Sequence, residues 1–409
     1  MLRDRMAQLP AQPQSPLRLR EFRLYFIGNV VSNAGTWMQN VVLSVFMFRL
    51  TGTSTWVGIA TLALFLPFIF FTLPGGAIAD RTDRLRLLML TQIAAGALAA
   101  ALTVLAGSHS ANRYSVVAIA FGIGVSGAFA IPAMQALLPL LVPEGEIAQA
   151  IALNAVTFNL ARVIGPIVGS AALAISATWA FGINAASFFV LAGALWMIRT
   201  VPYPRSGGRP GPIREGVRYA WEHVRTRTML FGVAMIGIAL DPITTLSPAY
   251  GRLFGHENLA GWIVAAWGLG AVVVVTIGAR WLRRFAERGL GWVGLAVLAA
   301  GVAGYAASHT LAQALASNFV AGVGYISAAV TFTTTIQRDV PERLRGRVMA
   351  LWTLAFLGPR PLASVLDGRL ADSWSLHWAA ALFVIPAIVA AIVVRRGTLG
   401  GAEPLVPPV

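Results

Sequence analysis

Apolar runs of about twenty residues recur roughly twelve times along the chain, separated by short polar turns. A run of that length crosses a bilayer as a helix, because a backbone N–H or C=O left unpaired in lipid is too costly. The pattern predicts spans over residues 22–48, 56–79, 86–107, 114–141, 148–173 and 178–199. A second set follows over 229–252, 259–281, 289–307, 311–337, 344–370 and 376–394. The expected architecture is an all-α polytopic membrane protein of twelve transmembrane helices in two six-helix bundles, 22–199 and 229–394. Tails at 1–21 and 395–409 flank them, and the long polar loop 200–228 joins them. That loop opens with Pro202, Pro204, Gly207, Gly208 and Pro210 and ends in an amphipathic stretch, with Ile213, Val217, Ala220, Trp221 and Val224 on one helical face. Such a helix lies either on the membrane surface or on neighbouring loops.

Charge changes the picture from geometry to orientation. The formal net charge of the 409-residue chain is +15, which in water would point to nucleic acid. Yet 25 of the 31 basic residues cluster at alternate span ends. By the positive-inside rule those ends, and both termini, face the cytoplasm; the arginines then belong to a membrane topology and no nucleic-acid partner is expected. The first 17 residues have no apolar core and are not read as a cleaved signal peptide. With Cys 0 there is no disulfide or thiolate metal site, and all 31 basic residues are Arg, so no P-loop or Schiff-base lysine exists. The five histidines stand at or near span ends without metal-ligand spacing. No enzyme, metal or cofactor is expected.

An offset of 198 residues aligns Leu-Val-Pro-Glu-Gly-Glu from Leu141 with Asp-Val-Pro-Glu-Arg-Leu from Asp339, and brings Phe121 and Gly124 onto Phe319 and Gly322. The two halves are therefore read as parallel repeats related by an axis along the membrane normal.

Between spans 2 and 3 stands Gly75-Gly76-Ala-Ile-Ala-Asp80-Arg81-Thr-Asp83-Arg84. In span 5, Asn159 and Arg162 precede Gly165-Pro166-Ile-Val-Gly169, where proline bends the helix and the glycines admit a close neighbour. The first segment resembles motif A of the major facilitator superfamily, with Gly76, Asp80, Arg81 and Arg84 on pattern positions. The second resembles motif C of its antiporter branches, with Gly165, Pro166 and Gly169. Gly35-Thr36-Trp37-Met38-Gln39 and Pro132-Ala133-Met134-Gln135 are most similar to the bacterial enterobactin exporter-like and drug:proton antiporter branch. The resemblance implies two bundles that rock about a midplane site, and export of a drug-like or siderophore-like small molecule across the inner membrane in exchange for protons, by a monomer. Two departures stand out: Leu282 replaces the acid of motif A in the second half, and Phe129-Ala-Ile131 precedes Pro132 where an Asp is expected.

Asn29, Asn33, Thr36, Asn40 and Ser44 recur at helical spacing along span 1 and form one polar face, with Trp37 beside it. Polar groups avoid lipid, so the face meets protein or water. The resemblance, in which spans 1, 4, 7 and 10 surround the central cavity, makes it a candidate substrate surface. Arg162, mid-span with a charge it cannot shed, needs an acceptor, water or an anionic ligand, and Tyr325, with Asn318 on its side of span 10, could stack on a flat organic substrate; all three join the candidates. Two carboxylates fall well inside spans, Asp241 in span 7 and Asp367 in span 11. An acid there ordinarily has a partner or a task, and both are candidate proton carriers. An importer or uniporter of a small metabolite, or a non-transporting assembly factor, would share every helix.

Overall fold

The computed structural model describes residues 15–199, 213–276, 278, 284–285 and 288–400. The start of the 200–228 loop, most of the second-half counterpart of motif A, and most of both tails lie outside the described residues. The first half of the chain forms α1 (Arg20–Thr51), α2 (Ser54–Arg81), α3 (Arg84–Gly107), α4 (Arg113–Leu137), α5 (Ile147–Ile175) and α6 (Ala177–Trp196). The amphipathic helix α7 (Ile213–Glu222) leads into α8 (Val224–Ala239), α9 (Asp241–Thr245), α10 (Ser247–Leu253), α11 (Ala260–Thr276) and α12 (Gly291–Ala306). Then come α13 (Leu311–Asp339), α14 (Glu342–Leu357), α15 (Arg360–Ser373), α16 (Leu376–Leu382) and α17 (Val384–Gly400). No strand occurs among the described residues.

Three spans that the hydrophobic pattern reads as continuous are broken: 229–252 into α8, α9 and α10, 344–370 into α14 and α15, and 376–394 into α16 and α17. Each break precedes a proline, which lacks the N–H needed to continue the ladder and fits the first turn of a new segment. Pro242, Pro248 and Pro361 stand in the first turns of α9, α10 and α15. Among the described residues, ten segments are long and apolar enough to cross a membrane. Two expected spans fall short for different reasons: α1 has 32 residues but carries the polar face, and α12 has only 16. Large apolar side chains such as Phe70, Leu90, Val104 and Leu366 cover the outside, as a lipid-facing surface requires. Exposed tryptophans mark the ends, with Trp179, Trp374 and Trp378 at one and Trp196 and Trp221 at the other.

The halves meet along two seams, α2 on α15 and α5 on α11. Both need glycine. A β-carbon at Gly58 would overlap the Ser364 carbonyl oxygen, and one at Gly261 would overlap the Pro166 carbonyl oxygen. Pro166 and Ser364 lie 198 residues apart, so the sequence repeat reappears as one seam built twice.

The two ends of these seams differ. Among the described residues, the hydrogen bonds bridging the halves lie toward the end where α1 finishes and α2 begins. There Arg49 donates to Glu257 at 3.0 Å and to Asn258 at 2.6 Å, and Ser364 donates to the Gly58 carbonyl at 3.1 Å. Asp372, at the end of α15, accepts from the backbone N–H groups of Ser54 and Thr55, each at 2.8 Å, and from the Thr55 hydroxyl at 2.6 Å. It thus caps the first turn of α2 from the other half of the molecule. At the opposite end, near Arg18 and α7, the polar contacts identified among the described residues stay within one half. Arg18 pairs with Glu146, Arg84 donates to the Ala136 carbonyl at 3.0 Å, Arg225 pairs with Asp339 at 3.2 Å, and Arg347 pairs with Glu215. Among the described residues, the clasp across the seam stands at one end.

The helix α7 combines the two placements the sequence allowed. Gly216 sits against Arg347, Tyr219 donates to the Asp339 carbonyl at 3.1 Å and Ala220 is buried, while Val217 and Trp221 stay exposed.

Candidate functional site: a cavity between the halves

A cavity of about 320 Å³ lies between the halves at mid-depth. Its walls come from α1, α2 and α5 on one side and from α9, α11, α13, α14 and α15 on the other, with Ile131 of α4 and Leu240 between α8 and α9 completing them. Asn33, Thr36, Trp37, Asn40 and Ser44 line it, so most of the polar face of α1 meets the void. Thr36 and Ser44 donate to carbonyls one turn back, each at 2.9 Å, which leaves their oxygens as acceptors. The Asn40 side chain has no hydrogen bond among the described residues and remains available in both roles.

Asn29, the first residue of that face, does not line the cavity. It is buried against α5, donates to Asn154 at 2.8 Å, and accepts from Asn33 at 2.8 Å. It ties two helices together. Gln39 and Asn184 make a similar buried link between α1 and α6. Asn318 is also absent from the walls: fully buried, it donates to the Ala314 carbonyl at 2.8 Å. Tyr325, two turns further along α13, does reach the cavity.

Arg162 enters from α5, with only 5% of its surface exposed. Its guanidinium carbon lies 4.9 Å from the ring centre of Trp267, 5.1 Å from Trp37, and 5.3 Å from both Phe158 and Tyr325. Distances under about 6 Å mark cation–π contact. Two of the rings belong to each half. Nε and Nη1 are buried without a hydrogen-bond partner, and no carboxylate among the described residues pairs with them.

Arg360, 198 residues later, enters from α15 in different company. Its Nε stands 3.6 Å from Asp241 Oδ1, an ion pair too long for a hydrogen bond. Its Nη2 donates to Thr244 at 3.3 Å, and its guanidinium covers the Phe65 ring at 4.8 Å. Asp241 accepts from the Thr245 hydroxyl at 2.8 Å and faces the second carboxyl, Asp367. Both acids are completely buried, and neither lines the void. Asp241 stands one side chain behind the wall, screened by Arg360 and Thr244. Both Asp367 oxygens and the neighbouring Tyr305 hydroxyl are buried without partners.

The motif residues act in packing. A β-carbon at Gly165 would stand 2.7 Å from the Ala34 carbonyl and from Trp37 Cβ, and Gly169 lies against Met38; these glycines and Pro166 seat α5 on α1. In the other segment Gly75, not Gly76, meets a neighbour, the Ala128 carbonyl. Arg81 is exposed, Asp83 caps α3 by accepting from Leu85 and Arg86, and Arg84 reaches α4. The Asp80 side chain lies outside the description. Sequence reading missed Asp372, Thr244 and Phe65. For the pairing of Arg360 the signal was present, since the repeat offset takes Arg162 onto it.

A family model described as transmembrane secretion effector matches residues 11–404. Among curated proteins, the multidrug efflux pump Tap of Mycobacterium tuberculosis is 24% identical over 398 residues, covering 91% of this chain and 92% of Tap. The staphyloferrin A transporter of Staphylococcus aureus is 24% identical over 364 residues, covering 87% and 90%. The enterobactin exporter EntS of Shigella boydii is 24% identical over 360 residues, covering 85% of each. Among solved structures, a bacterial homologue of the human lysosomal transporter Spinster in an inward-facing, occupied conformation superposes with a TM-score of 0.74 at 14% identity, over 97% of this chain and 100% of that one. A point mutant of the nucleoside transporter NupG gives 0.76 at 11% identity over 92% and 99%.

Proposed function

The chain belongs to the transmembrane secretion effector family of the major facilitator superfamily, and from that premise we propose that it exports a drug-like or siderophore-like small molecule through the cavity between its halves. The carrying observation is a mid-depth cavity with, among the described residues, a clasp across the halves toward one end. A rocking motion that breaks this clasp and closes the other end exposes the same cavity to the opposite side. In our reading the end near Arg18 and α7, with both chain termini, faces the cytoplasm of a bacterial inner membrane, which the arginine clusters support. We assign residues 22–199 and 229–394 to the two moving bundles, count α1 and α12 among twelve spans, and take the monomer as the working unit.

Proton exchange drives this export in our reading. Two carboxyls and one guanidinium share a dry pocket, so one carboxyl is left without a counter-charge. Two carboxyl groups face each other favourably only through a shared proton. A ligand beside Arg360 and Thr244 touches this network through Arg360, which links cavity occupancy to proton release.

The test is an efflux and susceptibility panel in an efflux-deficient bacterium expressing the chain. Lower accumulation of at least one compound, abolished by an uncoupler, supports the reading. Equal accumulation with and without the chain across the panel rejects it in favour of the non-transporting alternative. Uncoupler-resistant flux favours a uniporter.

A further inference from the structure

We infer that the cavity takes an anionic ligand, a flat apolar body carrying one carboxylate-like or sulfonate-like group, and that Arg162 is the residue that holds the anion. The inference rests on the export reading and names its substrate class.

Guanidinium does not give up its proton in a protein, so Arg162 is a fixed positive charge in the cavity wall. Four rings stand within 5.3 Å of its guanidinium carbon, while Nε and Nη1, which lie on different edges of the plane, each find no acceptor. An anion presenting two oxygens to the Nη1–Nη2 fork supplies Nη1 with the acceptor it lacks, because that fork matches a carboxylate bidentately.

The pseudo-equivalent position shows what the missing partner looks like. Arg360 has a carboxylate, Asp241, from its own half. Beside Arg162 no acid stands among the described residues, and at the position of Asp367, the second acid of that network, the first half has Gly169, 198 residues earlier, lying against Met38. The fold supplies the acid at one of two related sites and leaves the other for a ligand. Among the described lining residues the ionisable charges are Arg162 and Arg360, while the acids stand behind the wall. A cationic ligand would meet two guanidinium groups and find the aromatic cage already filled. Trp37, Trp267 and Phe158 offer rings for an apolar body, and Asn40 offers a free amide in the same wall as Trp37.

The test uses three matched probes, naphthalene-2-sulfonate, naphthalene-2-sulfonamide and 2-naphthylmethyl-trimethylammonium, with the full-length protein. Titration calorimetry in detergent is expected to give the sulfonate a Kd at least about tenfold below the other two, roughly 1.4 kcal/mol. Arg162→Gln should raise the sulfonate Kd by at least that factor and leave the sulfonamide unchanged, with Arg162→Lys in between. Equal or tighter binding of the ammonium or sulfonamide by the wild type overturns the inference without any variant. So does no binding by any probe, or a sulfonate Kd unmoved by Arg162→Gln. Sulfonate movement into energised inside-out vesicles is measured beside it. Arg162-dependent binding without movement leaves the anion site standing and contradicts the export reading instead.

Discussion

Arg162 and Arg360 occupy related positions in a molecule built twice, and their surroundings have diverged completely. Each enters the central cavity from a seam helix, α5 or α15, and each lies under a packed aromatic ring. Around Arg360 the second half supplies Asp241, Thr244 and Asp367. Around Arg162 both halves supply rings and no acid. The lesson is that a repeated scaffold fixes where a charge stands but not what answers it. One site is closed on itself and, in our proposal, holds a proton; the other, among the described residues, has no acid and is where we place a ligand.

The largest expected break in this comparison comes from removing each charge in turn. Arg360→Gln strands Asp241 and Asp367 in a dry pocket, and breaking a buried pair costs about 3–5 kcal/mol. Arg162→Gln strands no acid and gives up cation–π contacts worth about 0.5–2 kcal/mol. Thermal unfolding of the purified variants should therefore show a large drop for Arg360→Gln and a small one for Arg162→Gln. Adding Asp241→Asn to Arg360→Gln should recover much of the loss. Equal drops for the two single variants would mean that the sites are not energetically different.

A smaller effect is expected at the clasp. Asp372→Ala removes a helix cap held by the opposite half, worth about 0.5–2 kcal/mol, which moves the conformational balance several-fold toward the state open at that end. The absence of cysteine makes this readable, since labels introduced by Leu50→Cys and Leu253→Cys report the distance between the halves there. The Asp372→Ala population should shift to longer distances. An unchanged distribution would reduce Asp372 to a local cap.

Much of this organisation was legible in the sequence because lipid permits few solutions. Apolar runs marked the spans, and the spacing of Asn33, Thr36, Asn40 and Ser44 identified a helix face that does meet the cavity. The glycines of the Gly-Pro segment predicted close approach, which the packing of Gly165 on α1 displays. Other features resisted. Helical periodicity gives the face of a residue but not its depth, so Asn29 and Asn318 shared the right face with cavity residues and yet pack into helix contacts. Proline signals a break without saying whether the helix runs on, as at Pro166, or restarts, as at Pro242. The partners of Arg162 come from α1, α5, α11 and α13, and no local pattern brings four separated rings together. The repeat offset relates Arg162 to Arg360, while the carboxylates gathered around Arg360 became visible as a cluster only in three dimensions.

The most direct measurement follows protons and substrate together in liposomes containing the purified chain, with an internal pH dye and any compound that the efflux panel identifies. The account predicts that substrate moving one way carries protons the other way, and that Asp241→Asn, folded and still binding substrate, loses both the proton movement and the pH-gradient-driven flux. Full gradient-driven transport by Asp241→Asn, or substrate flux by the wild type without proton movement, would contradict it.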